Sequence, residues 1–194
     1  MKASWKELYQ NAKQCMKCEL HKQRTHVVVD DGNRKSRIML VGEGPGEQED
    51  RQGIPFVGPA GKLLNRMLAA IELTRDDLYI CNVVKCRPPK NRTPYPEEME
   101  ACLPYLREQF VLTQPCIIVC LGATAAKALI SPQIRITRER GIWTEKQGVW
   151  MLPTYHPAAL LRDAAKKAEA WADMQALQKK IAELKIETSG EREK

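Results

Sequence analysis

Two apolar patterns take turns along the chain. Arg37-Ile-Met-Leu-Val41, Leu78 to Val84, Cys116-Ile-Ile-Val-Cys-Leu121 and Trp150-Met-Leu-Pro153 are short apolar runs that read as buried strands. Between them lie helical segments. Ser4 can cap a helix to about Lys13 with Trp5, Leu8, Tyr9 and Ala12 on one face, and Pro59 to Ile71 is helical. Pro96 to Leu112 carries its proline in the first turn, and Ala123 to Leu129 follows Gly122. Ala164 to about Leu184 places Ala168, Trp171, Met174, Ile181 and Leu184 on an amphipathic helix. This alternation predicts a three-layer α/β/α fold with a central, mostly parallel sheet and ligands beyond the strands' carboxyl ends. The 194 residues suffice for one domain, expected over 1–185, with 186–194 a disordered tail.

Charge and cysteine usage narrow the partners. Lys and Arg outnumber Asp and Glu 31 to 24, and the net charge of +7 favours an anionic partner without naming it. Met1 to Cys15 lacks the apolar core of a signal peptide, and no apolar run reaches the roughly 18 residues of a membrane span. The expectation is a cytoplasmic protein with no membrane partner. Seven cysteines in a reducing compartment are poor disulfide candidates, so some should bind metal. Cys15 and Cys18 form a CxxC pair, and Cys86 and Cys102 can join them. The 15 residues between the latter two are unusual for structural zinc, although spacing alone leaves zinc open. Cys81, Cys116 and Cys120 lie in apolar strands and read as small buried hydrophobes.

Three segments carry a resemblance. Gly42-Glu-Gly-Pro-Gly-Glu-Gln-Glu-Asp50 continues to Pro55-Phe-Val-Gly-Pro-Ala-Gly61; Asn82-Val-Val-Lys-Cys86 and His156-Pro-Ala-Ala-Leu160 follow in order. Each alone is a common turn. Together they resemble family 4 uracil-DNA glycosylases, the iron–sulfur branch of the uracil glycosylase superfamily. The resemblance implies a monofunctional enzyme that flips uracil out of DNA and hydrolyses its glycosidic bond, initiating base excision repair. It implies a [4Fe–4S] cluster held by Cys15, Cys18, Cys86 and Cys102, in a structural role. It further implies a monomer acting on uracil-containing DNA; any replication or repair partner stays undetermined.

The motif residues suit that chemistry. Bond cleavage leaves negative charge on the departing base, and His156 is expected to donate to uracil O2. A flipped base must be sandwiched and read on its Watson–Crick edge. Phe56 suits the first task, and the Asn82 amide suits the second, donating to O4 and accepting from N3–H, a pattern cytosine reverses. Gly42 and Gly44 are expected among the substrate-binding residues. Glu43 is expected to position the attacking water and Glu47 to exclude thymine's methyl. Family 1 enzymes place an Asp where Gly44 stands, so no general base carries over to that position. Leu160 matches the residue that wedges into the duplex, better than Leu161 does. Lys85, Arg87, Lys90 and Arg92, with Arg135, Arg138 and Arg140, are candidates for phosphate contact. The segment Cys86 to Pro94 holds no His, which argues against the covalently trapping branch, and Glu43 argues against family 5. The competing reading is a noncatalytic metal-bound DNA-binding module, and a redox sensor is a third.

Overall fold

The computed structural model describes residues 4–188. The strands are β1 (Asp31–Gly32), β2 (Ile38–Gly42), β3 (Tyr79–Asn82), β4 (Ile117–Leu121), β5 (Thr144–Lys146) and β6 (Val149–Thr154). The helices are α1 (Trp5–Lys13), α2 (Glu47–Gln52), α3 (Pro59–Ala69), α4 (Pro96–Thr113), α5 (Ala123–Leu129), α6 (Ile136–Glu139), α7 (Pro157–Arg162) and α8 (Lys167–Glu183). They build one sheet in the order β1-β3-β2-β4-β6-β5, parallel at its centre and antiparallel at both edges.

Period-two alternation splits the central strands between two cores. Met39, Val41, Tyr79, Cys81, Ile118 and Cys120 face α1, α4 and α5, meeting Leu8, Ala12, Tyr105, Leu106, Ala125 and Ala126. Ile38, Leu40, Ile80, Ile117, Val119 and Leu152 face α3 and α8, meeting Leu64, Leu68, Met174, Leu177 and Ile181. The expected α/β/α layers and the mostly parallel sheet are therefore present.

The differences have local causes. β1 and β5 are short polar edge strands, Asp31-Gly32 and Thr144-Glu-Lys146, and show no apolar run to a sequence reading. The short α2 and α6 were likewise unforeseen. The last helix opens with a 3-10 turn at Ala164–Lys166 before α8. Its buried face runs through Ala170, Met174, Leu177 and Ile181, leaving Trp171 exposed. Ile186 still packs into the α8 core, and of the expected tail residues 189–194 lie outside the described residues.

Every parallel strand ends at the same edge of the molecule. There β2 leads into Glu43, β3 ends on Asn82, β4 runs into Gly122 and β6 into Tyr155-His156. A cleft of about 840 Å³ opens at that edge, within the ordinary size of a ligand site.

Candidate active site

The cleft is built outward from one tight pair. Gly42 lies beside Asn82 in the β2–β3 register, and a Cβ at Gly42 would collide with both Asn82 Oδ1 and the Phe56 ring. Glycine there lets the strand back directly against the two side chains. Asn82 is 2% exposed, and its Oδ1 is one of only two buried side-chain polar atoms without a hydrogen-bond partner among the described residues. A buried unpaired acceptor is costly unless something supplies a donor.

Phe56 holds a left-handed backbone (φ 55°), which its surroundings enforce. Arg75 donates to Pro55 O at 2.7 Å and Phe56 O at 3.2 Å, while its guanidinium pairs with Asp31. Glu49 accepts from Val57 N at 3.0 Å and Gly58 N at 2.7 Å, and from Gly46 N at 3.1 Å, tying the two halves of the glycine-rich loop together. The Phe56 ring stacks against His156, with centroids 5.6 Å apart and 30° between planes.

His156 caps α7, and its Nδ1 accepts from Ala158 N at 3.1 Å. A backbone amide can only donate, so the neutral ring carries its proton on Nε2. Burial, with the Arg162 cation second and Glu49 opposing, lowers the imidazole pKa to about 4. The ring is therefore a neutral donor at pH 7. Glu43 is half-buried, and its carboxylate accepts from the hydroxyl of Thr124, 8% exposed in the first turn of α5. Gly44 packs on Val84. Glu47 lines the cleft too, its carboxylate held by Arg51 at 2.6 Å and Arg87 at 3.7 Å.

Behind β3 a second, apolar cavity is lined by Cys15, Cys18, Cys86 and Cys102, with Ala12, Leu20, Val27 and Val84 around them. Arg24 Nη1 donates to Cys86 Sγ at 3.3 Å, and Lys85 N donates to Cys102 Sγ at 3.3 Å. Burial pushes the Cys86 thiol up to about 11, with Arg24 pulling against it, and raises Cys18 and Cys102. Among the described residues no three His, Cys, Asp or Glu side chains stand close enough to hold a single metal ion.

Residues 29–175 match the family model described as the uracil DNA glycosylase superfamily. The chain belongs to that superfamily. It is 48% identical over 162 residues to the type-4 uracil-DNA glycosylase of Thermotoga maritima, covering 81% of this chain and 83% of that protein. It is 46% identical over 176 residues to the type-4 enzyme of Pyrobaculum aerophilum (87% and 90% of the two chains). The type-4 enzyme of Archaeoglobus fulgidus shares 46% over 180 residues (88% and 87%).

In this uracil glycosylase chain the structure gathers Gly42, Glu43, Gly44, Glu47, Phe56, Asn82 and His156 at one cleft, and Cys15, Cys18, Cys86 and Cys102 at another. Leu160 departs from its expected place. It is 2% exposed and packs with Leu63, Tyr155 and Ala170, so it cannot enter a duplex without unpacking α7. Its neighbour Leu161 is 47% exposed and lines the cleft.

Several expected phosphate contacts are also engaged internally. Lys85 is 2% exposed, Arg92 forks onto Glu98 at 2.6 and 2.8 Å, and Arg140 pairs with Asp173. Lys90, Arg135 and Arg138 remain exposed. Glu49, Arg75 and Thr124 were missed. Glu49 is one of three glutamates in the first motif, and no pattern singles it out; Arg75 and Thr124 lie far from the motif they support.

Proposed function

We propose that the protein is a monofunctional uracil-DNA glycosylase whose single domain, residues 1–185, excises uracil from DNA and so starts base excision repair. The observation that carries this reading is the unpaired Asn82 Oδ1 at the floor of the cleft. Uracil N3–H is the donor that this atom lacks, and the same amide's N–H reaches O4. Cytosine would bring an acceptor to an acceptor and a donor to a donor, leaving buried groups unpaired. Phe56 supplies the face on which the flipped base lies.

With the base so placed, His156 Nε2–H donates to O2, where negative charge grows as the glycosidic bond breaks. A neutral donor suits this task, because it stabilises the uracil anion without transferring its proton. Glu43, its carboxylate held by Thr124, orients the water that attacks the sugar cation, and Glu47 stands at the wall against thymine's methyl. Leu161, in place of Leu160, enters the gap left by the flipped nucleotide. Exposed Lys90, Arg135 and Arg138 meet phosphates. We place the enzyme in the cytoplasm, acting as a monomer.

The four cysteines fit a [4Fe–4S] cluster. Tetrahedral zinc draws its sulfurs to about 2.3 Å from one ion, whereas a cubane spreads them over four iron corners; an apolar cavity with N–H donors to sulfur suits the latter. Cys15, Cys18, Cys86 and Cys102 would hold it. When bound, the group would supply fixed negative charge and a staple between chain segments. It would order the loop from Cys86, whose Asn91, Arg92 and Thr93 line the cleft.

The test uses anaerobically purified protein and a labelled oligonucleotide with one uracil. Strand breakage after alkali alone, from protein absorbing in the visible, is the expected result. Binding without base release would instead favour the noncatalytic module, and breakage without alkali would contradict a monofunctional enzyme.

A further inference from the structure

Lys85 is among the largest fully buried side chains, at 2% exposure, yet no carboxylate ion-pairs with it among the described residues. Its ammonium donates to Asn82 O at 2.5 Å. A buried ammonium with one carbonyl partner is poorly compensated. Lys85 lines the cysteine cavity and adjoins Cys102 through its own backbone N–H. Its charge favours the thiolate forms of Cys81 and Cys102. Cys81 lies wholly buried in β3, its thiol pushed up to about 11 by burial, and is neutral. Glu98, which also lines the cavity, is taken by Arg92. Asp30, which also acts on Cys81, is shared by Arg34, Tyr9 and Tyr79, and the four cysteines in a metal-bound thiolate form would bring further negative charge beside Lys85. Arg24, on Cys86, is a second cation facing them, and Lys17 and His21 stand at the cavity's outer rim.

We propose that Lys85 is a positioning residue that ties the metal–thiolate site to the base-reading strand. From inside it neutralises the charge of the thiolate group. Through Asn82 O it fixes the end of β3, and with it the aim of the Asn82 amide that reads uracil. The proposal rests on the uracil reading for Asn82 and on the cluster reading for the cysteines.

Lys85→Met and Lys85→Gln in the holo protein test it. Lys85→Met, similar in length and apolar, should lose iron to a chelator at least 10-fold faster and show a more negative reduction potential, because a buried cation that favours the added electron is gone. Its kcat/KM for uracil should fall at least 10-fold. Lys85→Gln keeps a donor for the Asn82 carbonyl but not the charge. It should recover part of the excision while iron loss and potential stay shifted. Wild-type iron retention and potential in both variants would overturn the proposal.

If neither variant folds, Arg24→Gln on the half-exposed side of the cavity should shift potential and iron loss the same way. An unchanged Arg24→Gln protein would overturn the charge argument. Should the protein bind zinc, the cluster reading fails, yet the release rate of zinc tests the same charge compensation. Should it release no uracil, metal retention still decides the role of Lys85.

Discussion

At His156 one backbone bond and the surrounding burial act together on a single proton. Ala158 N occupies Nδ1, which leaves the proton on Nε2, and burial holds the ring neutral down to about pH 4. An unfolded chain would take up the proton near the usual 6.5. Between those values the unfolded state binds more protons than the folded one, so stability falls as pH falls from 6.5 towards 4. The wild type should therefore lose about 3 kcal/mol across this window that His156→Gln does not lose, read as converging Tm values on acidification. Excision should show no acid limb from His156 above about pH 4, and His156→Gln should release uracil about 100-fold more slowly at pH 7. A wild-type limb near pH 6 that the variant lacks would mean that the imidazole is not held neutral. Much of the site was legible at this scale because residue type itself carries chemistry. Asn, Phe and His at strand ends suggest base reading, whereas Glu49, Arg75 and Thr124 act only by reaching across the fold.

One short element shows where that legibility stops. Strands β2, β3, β4 and β6 announce themselves because a strand buried on both faces must be apolar throughout. The polar edges β1 and β5 have no such need. In α7 the question is which leucine points where. Consecutive helical residues lie about 100° apart, so one faces the core and the next the cleft, and the phase depends on where the helix begins. His156 as cap and Pro157 in the first turn set that start, turning Leu160 inward against Leu63 and Ala170 and Leu161 outward. Leu161→Ala should thus leave stability within about 0.5 kcal/mol. It should slow uracil release from duplex roughly 10-fold, with little effect on single-stranded substrate, which has no gap to fill. Leu160→Ala should instead cost about 2–4 kcal/mol by opening a cavity, measurable by denaturant unfolding. Equal stability with a duplex defect in the Leu160 variant would restore the original assignment.

For the whole molecule, the cysteine site matters for what it joins. Cys15 and Cys18 follow α1, Cys86 follows β3 and Cys102 sits in α4, so one bound group would close long loops through three parts of the chain. Cross-links over such loops contribute on the order of 3–5 kcal/mol, and metal binding adds to this because the unfolded chain has no preformed site, less the cost of displacing the thiol protons. For a chain of this size each kcal/mol moves Tm by about 2–4 °C, so anaerobic removal of the metal should lower Tm by about 10 °C. The loss should not be uniform. The α3–α8 core lies on the sheet's opposite face from the cysteines and should keep its amide protection, while the loop from Cys86 to Pro94 should exchange and become open to protease. Arg92 and Thr93 of that loop line the cleft, so DNA binding should weaken together with loop protection rather than with global unfolding. Hydrogen exchange on metal-loaded and metal-depleted protein separates the outcomes: loosening confined to α1, the loop and the start of α4 supports a staple. Protection lost evenly across the sheet would mean that the metal holds the whole fold, and no change would leave the four cysteines without a structural part.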